Sequence, residues 1–298
     1  MNVKTHSGAG HVHSGSEFAP GAREEYAVVH RHHVGPWLLA AVAALATAGL
    51  VYALATNPYL DWGVTAHYLF AGQILRGVVT TVELSIYSMI LGVLVGVVIG
   101  VGRMSHNAVL SGLAFSYVAV FRSVPVLVQL LIWGNVGLIV RNVALGIPFT
   151  DVRFFSIQTN ELIGPFTAAI LGLALAEGAY IAEIVRAGIG SVDKGQREAA
   201  SSLGMSSARS LRRIVLPQAL RVIIPPLGNE FVTLIKGTSL VAVIAGGDLL
   251  TQAQNVAASN YRVIEMIAVA VFWYLVLVAV ASVGQYFLER HYSRGVDR

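Results

Sequence analysis

Between Trp37 and Thr56 the chain runs for twenty residues without a charge, WLLAAVAALATAGLVYALAT. As an α-helix that run is about 30 Å long, the thickness of a bilayer's hydrocarbon core. Five further apolar stretches follow at about 76–102, 110–140, 163–187, 222–247 and 262–288, each long enough to cross with some tilt. A backbone in lipid must satisfy its own hydrogen bonds, which confines runs of this length to helices. The charged fraction is only 12% and the mean hydropathy +0.68, so 298 residues carry more apolar side chains than one soluble core could bury. The expected fold class is an all-α, polytopic membrane helix bundle with six candidate spans.

Residues 1–35 are rich in Gly, Ser and His without apolar periodicity and read as a disordered tail. Six of the nine histidines lie there (His6, His11, His13, His30, His32, His33), in no compact ligand spacing, which favours a solvated tail over a metal site. The run 37–56 has a rival reading as a signal peptide, with Arg31 to His33 before it and Ala53-Leu54-Ala55 resembling a cleavage site. Its length beyond the usual 7 to 15 residues of a signal core favours a retained span. The chain has no cysteine, which excludes disulfides, thiolate metal sites and a Cys nucleophile.

Basic residues set the orientation. With the N-terminus inside, the inner segments hold fourteen Lys and Arg: Lys4, Arg23, Arg31, Arg103, Arg186, Lys194, Arg197, Arg209, Arg212, Arg213, Arg221, Arg290, Arg294 and Arg298. The outer ones hold four, Arg76, Arg141, Arg153 and Arg262. That asymmetry predicts both termini in the cytoplasm and makes Gly188 to Arg221 the longest cytoplasmic loop between two spans. A pI near 9.4 thus reports topology and gives no reason to invoke nucleic acid.

Within that loop, Asp193 is placed to cap a short helix from Lys194 to Leu203, with Gln196 completing a capping-box-like start. Gly204 can take the left-handed conformation that ends it. Ser206 or Ser207 then starts a second short helix, predicted to stop near Val215 before Pro217. Ala199, Ala200 and Leu203 are expected to form a small apolar face, with Arg197 and Glu198 on other faces. A helix this short needs packing to be stable, and small side chains suit insertion into a groove on another protein. The alternative is an amphipathic helix held on the membrane surface by Arg209, Arg212 and Arg213.

The same residues resemble a known family. Glu198-Ala199-Ala200, three residues, Gly204, nine residues, Ile214, one residue and Leu216-Pro217 match the EAA signature of permease subunits of bacterial ATP-binding cassette importers. The stretches FRSVPVLVQL, AYIAEIVRAGI, GQREAASSLGM, LPQALRVIIPPLGNEF and LIKGTSL resemble the polar-amino-acid branch. The resemblance covers about residues 72–290 and implies a five-span permease domain with the signature as coupling helix. Residues 36–71, an extra span with its outer loop, are an addition to that pattern, and 291–298 form a short cytoplasmic tail. The implied ATPase-coupling residues are Gln196, Glu198, Ala199, Ala200, Leu203 and Gly204. The sequence has no G-x-x-x-x-G-K-[ST], and Lys236-Gly237-Thr238 reverses the order a P-loop needs. The chain is therefore expected to be no enzyme and to hold no cofactor, with ATP and Mg bound by a separate cytoplasmic ATPase.

Charges deep in spans cost about 2.5 to 3.5 kcal/mol each and need partners or a polar cavity. Arg122, Glu177 and Lys236 lie at such depths, with Glu230 shallower and Glu183 nearer the cytoplasm. An amino acid carries an ammonium and a carboxylate, so a path for it should offer both signs: Arg122 for the carboxylate, Glu177 or Glu230 for the ammonium. The plainer alternative is that these groups pair with one another to hold the bundle. Pro125, Pro225 and Pro226 free carbonyls within the spans, and Gly237-Thr238-Ser239 either does likewise or lets helices pack closely. Gly92, Gly96 and Gly100 give one smooth helix face, for packing within the subunit by default or for a subunit interface.

These features together lead us to expect a membrane-spanning permease subunit of an ATP-driven importer of polar amino acids in the bacterial inner membrane. By the resemblance its partners are an ATPase dimer, a second identical or related permease subunit and an extracytoplasmic substrate-binding protein. The competing classes are an ion-gradient-driven secondary transporter, for which repeated halves with matching broken helices are missing, and a membrane enzyme, for which the spans hold no Ser/His/Asp or metal constellation.

Overall fold

The computed structural model describes residues 34–146 and 153–293; residues 1–33 of the predicted tail, and Arg294 and Arg298, lie outside the described residues, while Val34 and Gly35 already belong to a helix. The chain divides into two units, 1–57 and 58–298. The described part of the first is α1 (Val34–Ala55), 22 residues with no charge, the predicted extra span.

The second unit begins with α2 (Trp62–Leu69), capped by Asp61, whose carboxylate accepts from the amides of Gly63 and Val64. α3 (Gly72–Arg103) follows as one unbroken helix of 32 residues, about 48 Å long. The expected single span over 110–140 is not one helix. It divides into α4 (Ala108–Ser123) and α5 (Val126–Gly134), whose axes meet at 100°. Pro125 is the cause: it donates no hydrogen bond and drives Val124 to an extended conformation, φ −86° and ψ 126°. The buried Gln129 side chain returns over the break and donates to the carbonyls of Phe121 and Val124, both at 2.9 Å, satisfying acceptors that the bend exposes.

α6 (Val136–Ile139) leads into an antiparallel hairpin of β1 (Asn142–Gly146) and β2 (Arg153–Gln158), with Asn142 opposite Gln158. This pair sits in what the sequence presents as a plain connection, and it is the one sheet among the described residues. α7 (Thr159–Leu162) then gives way to α8 (Pro165–Gly190), the most enclosed of the long helices.

α9 (Lys194–Ser202) and α10 (Ser207–Ser210) occupy the long polar loop. The second helix does not stop before Pro217. A π-turn, Leu211–Val215, carries it directly into α11 (Leu216–Gly237). Pro217 then occupies the first turn after the change of pitch, where a missing amide donor costs little. A 3₁₀ segment, Thr238–Ile244, extends α11. α12 (Leu249–Asn260) and α13 (Val263–Ser293) complete the chain.

α3 packs along α8 through the glycine stripe. A Cβ on Gly92 would meet Glu177 and the Ala174 carbonyl; on Gly96, Ile181; on Gly100, Val185 and the Ala182 carbonyl. The stripe is therefore internal packing of one subunit. Around this pair the core has three centres. One, with Ile74, Leu249, Met266 and Val269, joins α3, α12 and α13. A middle one holds Leu84, Leu130, Leu173, Leu234 and Val241. The third, with Ile181, Val185, Val215, Ala219 and Ile223, ties α8 to the π-turn and α11.

Candidate functional site

α9 is built as its sequence predicts at both ends. The Asp193 carboxylate accepts from the Gly195 amide at 2.7 Å, although Gln196 returns no side-chain bond, so half of the expected box forms. At the other end Gly204 has φ +71°, and the Met205 amide donates to the Ala200 carbonyl at 3.0 Å, closing the helix through a left-handed residue.

The expected apolar face of α9 is divided. Ala200 is 1% exposed and turned into the bundle, while Leu203 is 81% exposed. Ala199 and Leu203 are four residues apart and share a side, whereas Ala200 lies a further 100° round the helix. Gln196, Glu198, Ala199 and Leu203 thus stand outward beside Gly204, anchored by one buried alanine.

Arg197 is half-buried and donates to the Ile189 carbonyl in the last turn of α8. That carbonyl is among the four a helix leaves without an internal partner, and a guanidinium there also complements the helix dipole. Nearby, Glu183 of α8 pairs with Arg103 at the end of α3, 3.2 Å, and with Arg186, 2.9 Å. These contacts bind the α9 end of α8 to its neighbours.

A second feature lies along α8 and α11. A cavity of about 360 Å³ is lined by Glu177 and Tyr180 of α8 and by Asn229, Glu230 and Thr233 of α11, with Val126, Leu173 and Leu240 among its apolar walls. Glu177 and Glu230, distant in sequence, interact electrostatically there. Glu177 is 8% exposed, and its Oε1 has no hydrogen-bond partner among the described residues. The guanidinium of Arg122 stacks over the Tyr180 ring, 5.1 Å from its centroid, which brings a cation beside the lining. A chamber with two carboxyl groups, an amide, a phenol and a hydroxyl is rich in acceptors and suits a ligand bearing an ammonium or guanidinium.

The other residues expected on this path lie elsewhere. Glu183 is committed to Arg103 and Arg186, because two arginines flank it. Lys236 is exposed and does not line the cavity. Thr238 is fully buried with its hydroxyl on the Ile235 carbonyl at 2.7 Å, and Ser239 bonds the Lys236 carbonyl at 2.8 Å, so both serve their own helix.

Sequence reasoning missed Tyr180, Asn229 and Thr233, whose spacing from Glu177 and Glu230 is helical and offered a signal. It also missed a buried polar cluster. Asp248 caps α12 by accepting from the Leu250 and Thr251 amides, takes the Thr251 hydroxyl, and receives the Tyr274 hydroxyl at 3.3 Å. The Leu249 amide donates to Thr81 at 3.0 Å. No spacing in the sequence joins positions 81, 248 and 274.

Residues 92–294 match the family model described as binding-protein-dependent transport system inner membrane component. The arginine transport system permease protein ArgU of Corynebacterium glutamicum is 40% identical over 267 residues, covering 89% of this chain and 83% of that protein. The unmatched tenth is shorter than the stretch from residue 1 to the end of α1, so the match with that relative reaches into α1. The L-cystine transport system permease protein TcyB of Bacillus subtilis is 36% identical over 74% of this chain and 87% of its own length. The glutamine transport system permease protein GlnP of Escherichia coli is 34% identical over 73% and 91%. A solved amino acid ABC transporter, crystallised with histidines, has 34% identity and a TM-score of 0.66, covering 78% of this chain and 99% of that one. The MetNI methionine ABC transporter, 20% identical with a TM-score of 0.56, shares the fold. These matches decide against the secondary-transporter reading: the chain belongs to the binding-protein-dependent transport system inner membrane components, and is a multi-pass permease subunit of the amino-acid ABC importers.

Proposed function

We propose that this permease carries polar amino acids whose side chains are cationic. The observation that carries the reading is the facing pair Glu177 and Glu230 in a cavity whose lining holds no Lys or Arg. A guanidinium or ammonium between the carboxylates removes their mutual repulsion and gains charge-assisted hydrogen bonds. Arg122, held on Tyr180, supplies the cation for the α-carboxylate. The similarity to an arginine transport permease supports the same choice.

Two such subunits, identical or related, form the path. An ATPase dimer binding ATP and Mg docks at α9 on the cytoplasmic side, where the termini also lie, and a substrate-binding protein delivers the amino acid outside. Gln196, Glu198, Ala199 and Leu203 are the surface that the ATPase grips, and Ala200 and Gly204 fix its position. Closure of the ATPase pair moves α9, and Arg197 and Ala200 pass that movement to α8, which bears Glu177. Because a ligand shifts only the equilibrium whose states it binds unequally, the cavity must change shape between the two states.

The test is uptake by the complete transporter in proteoliposomes, with arginine and glutamine supplied through their binding proteins. Glu230→Gln is expected to lower arginine uptake about tenfold or more, equal to the loss of one charge-assisted bond, and to leave glutamine uptake nearly unchanged. Equal effects on both amino acids would defeat the cationic reading. Co-purification of an ATPase with the wild type and its depletion by Gly204→Asp checks the docking surface.

A further inference from the structure

We propose that Arg209, Arg212 and Arg213 form a binding site for the phosphate of anionic phospholipids in the cytoplasmic leaflet. Arg209 lies on α10 and the other two on the π-turn, and together with Ala208 they alone line a surface concavity of about 460 Å³. Their spacing, i, i+3 and i+4, brings the three like charges to one side of a helical stretch, an unfavourable arrangement in isolation that an anion reverses. Among the described residues none of the three has an ion-pair partner; the acidic groups that pair do so with Arg103, Arg186 and Arg262.

The surroundings select a lipid rather than an acidic protein. On the opposite side of the same stretch Ser210, Val215, Ala219 and Ile223 are buried in the bundle. On the exposed side the arginines are followed by Leu216 and Leu220, each 38% exposed, and the helix continues into a span of the bilayer. Cationic heads followed one to two turns on by outward leucines match the order of headgroup and acyl chain that a membrane surface presents. The outward polar surface suited to a protein partner is on α9, in a separate segment beyond Gly204. The placement agrees with the excess of Lys and Arg on the inner segments. Guanidinium groups also take phosphate oxygens in a bidentate fashion, which an ammonium does not.

The proposal is independent of what the transporter carries, and its test reads lipid rather than uptake. The full chain is purified from mixed micelles of phosphatidylglycerol and phosphatidylcholine, and the retained lipids are measured by mass spectrometry. The wild type is expected to retain phosphatidylglycerol in preference, the more so at low salt, and the triple variant Arg209→Gln, Arg212→Gln, Arg213→Gln to lose about tenfold or more of that preference. Replacement of the three by Lys should retain part of it, and Arg221→Gln, on the same helix but outside the concavity, should leave it unchanged. An unaltered lipid ratio in the triple variant, or a wild-type ratio insensitive to salt, overturns the proposal. So does loss of ATPase co-purification with the lipid ratio intact, which would assign the arginines to a protein contact. Selective displacement by inorganic phosphate over chloride at equal ionic strength would assign them to a soluble anion instead. If the Gln variant fails to fold, the Lys variant and the salt dependence decide.

Discussion

Arg197 of α9 donates a hydrogen bond to the carbonyl of Ile189 at the end of α8, so the segment we propose as the ATPase dock is tied to the helix that carries Glu177. Ala200 adds only a small buried contact, and Arg197 is therefore the main polar link between the two helices. Arg197→Ala is expected to leave the transporter assembled and hydrolysing ATP while raising the ATP consumed per amino acid imported severalfold. A hydrogen bond from a charged group contributes about 1.5–3 kcal/mol, enough to let α9 move without α8. Coupled hydrolysis and uptake assays in proteoliposomes read this directly, and an unchanged ratio would remove Arg197 from the transmission path.

Gly204 has open space around its missing side chain, so its requirement is purely one of backbone conformation at φ +71°. Gly204→Ala should cost about 1–2 kcal/mol through the left-handed strain alone, and Gly204→Asn less, because Asn tolerates that region. Thermal unfolding of the purified chain gives the order Gly, Asn, Ala. Equal loss from Asn and Ala would indicate a steric role that the surrounding space does not support.

α9 shows why part of this molecule was legible in its sequence and part was not. Asp193, Gly204 and the apolar runs act through contacts a few residues away, so their roles can be read from order alone. The run to Val140 misled because hydropathy registers length and not direction: Pro125 turns the helix by 100° without making it less apolar. Pro217 misled in the opposite sense, since a π-turn absorbs it. Charges in the spans were recognisable as a set, but the pairing of Glu177 with Glu230, and of Glu183 with Arg103, depends on which helices become neighbours. That information is tertiary. The hairpin of β1 and β2 escaped for a related reason: its register is fixed by cross-strand pairing between residues 142–146 and 153–158.

The contact of α3 with α8 predicts a measurable epistasis. A Cβ on Gly96 would lie 2.6 Å from two atoms of Ile181 and 3.0 Å from the Gly178 carbonyl. Gly96→Ala should therefore destabilise the bundle by about 1–3 kcal/mol through overpacking. Ile181→Ala alone, at a fully buried site, should cost about 2–5 kcal/mol. Combined, the two should cost less than their sum, because the new methyl partly fills the space left by Ile181. The carbonyl contact keeps the rescue incomplete. Additive losses in thermal unfolding of the single and double variants would mean that the helices separate instead of sharing the space.

Asp248 makes stability depend on pH in a direction opposite to that of an exposed, paired carboxylate. Its burial raises the carboxyl above the ordinary 3.8, against the opposing effect of hydrogen bonds from Thr251, the Leu250 and Thr251 amides and Tyr274. The folded chain thus binds this proton more tightly than the unfolded chain does. Stability is then greatest, as far as this group is concerned, below about pH 4, and it falls as pH rises from there through the folded-state value, levelling off above it. Asp248→Asn removes the proton and with it that part of the slope. Asn keeps one acceptor for the start of α12 but loses the other, so the variant should be less stable overall while its unfolding midpoint varies less as pH rises from about 4. Thermal scans of wild type and variant across that range check the sign, and a variant with the wild-type slope would show that another group carries the titration.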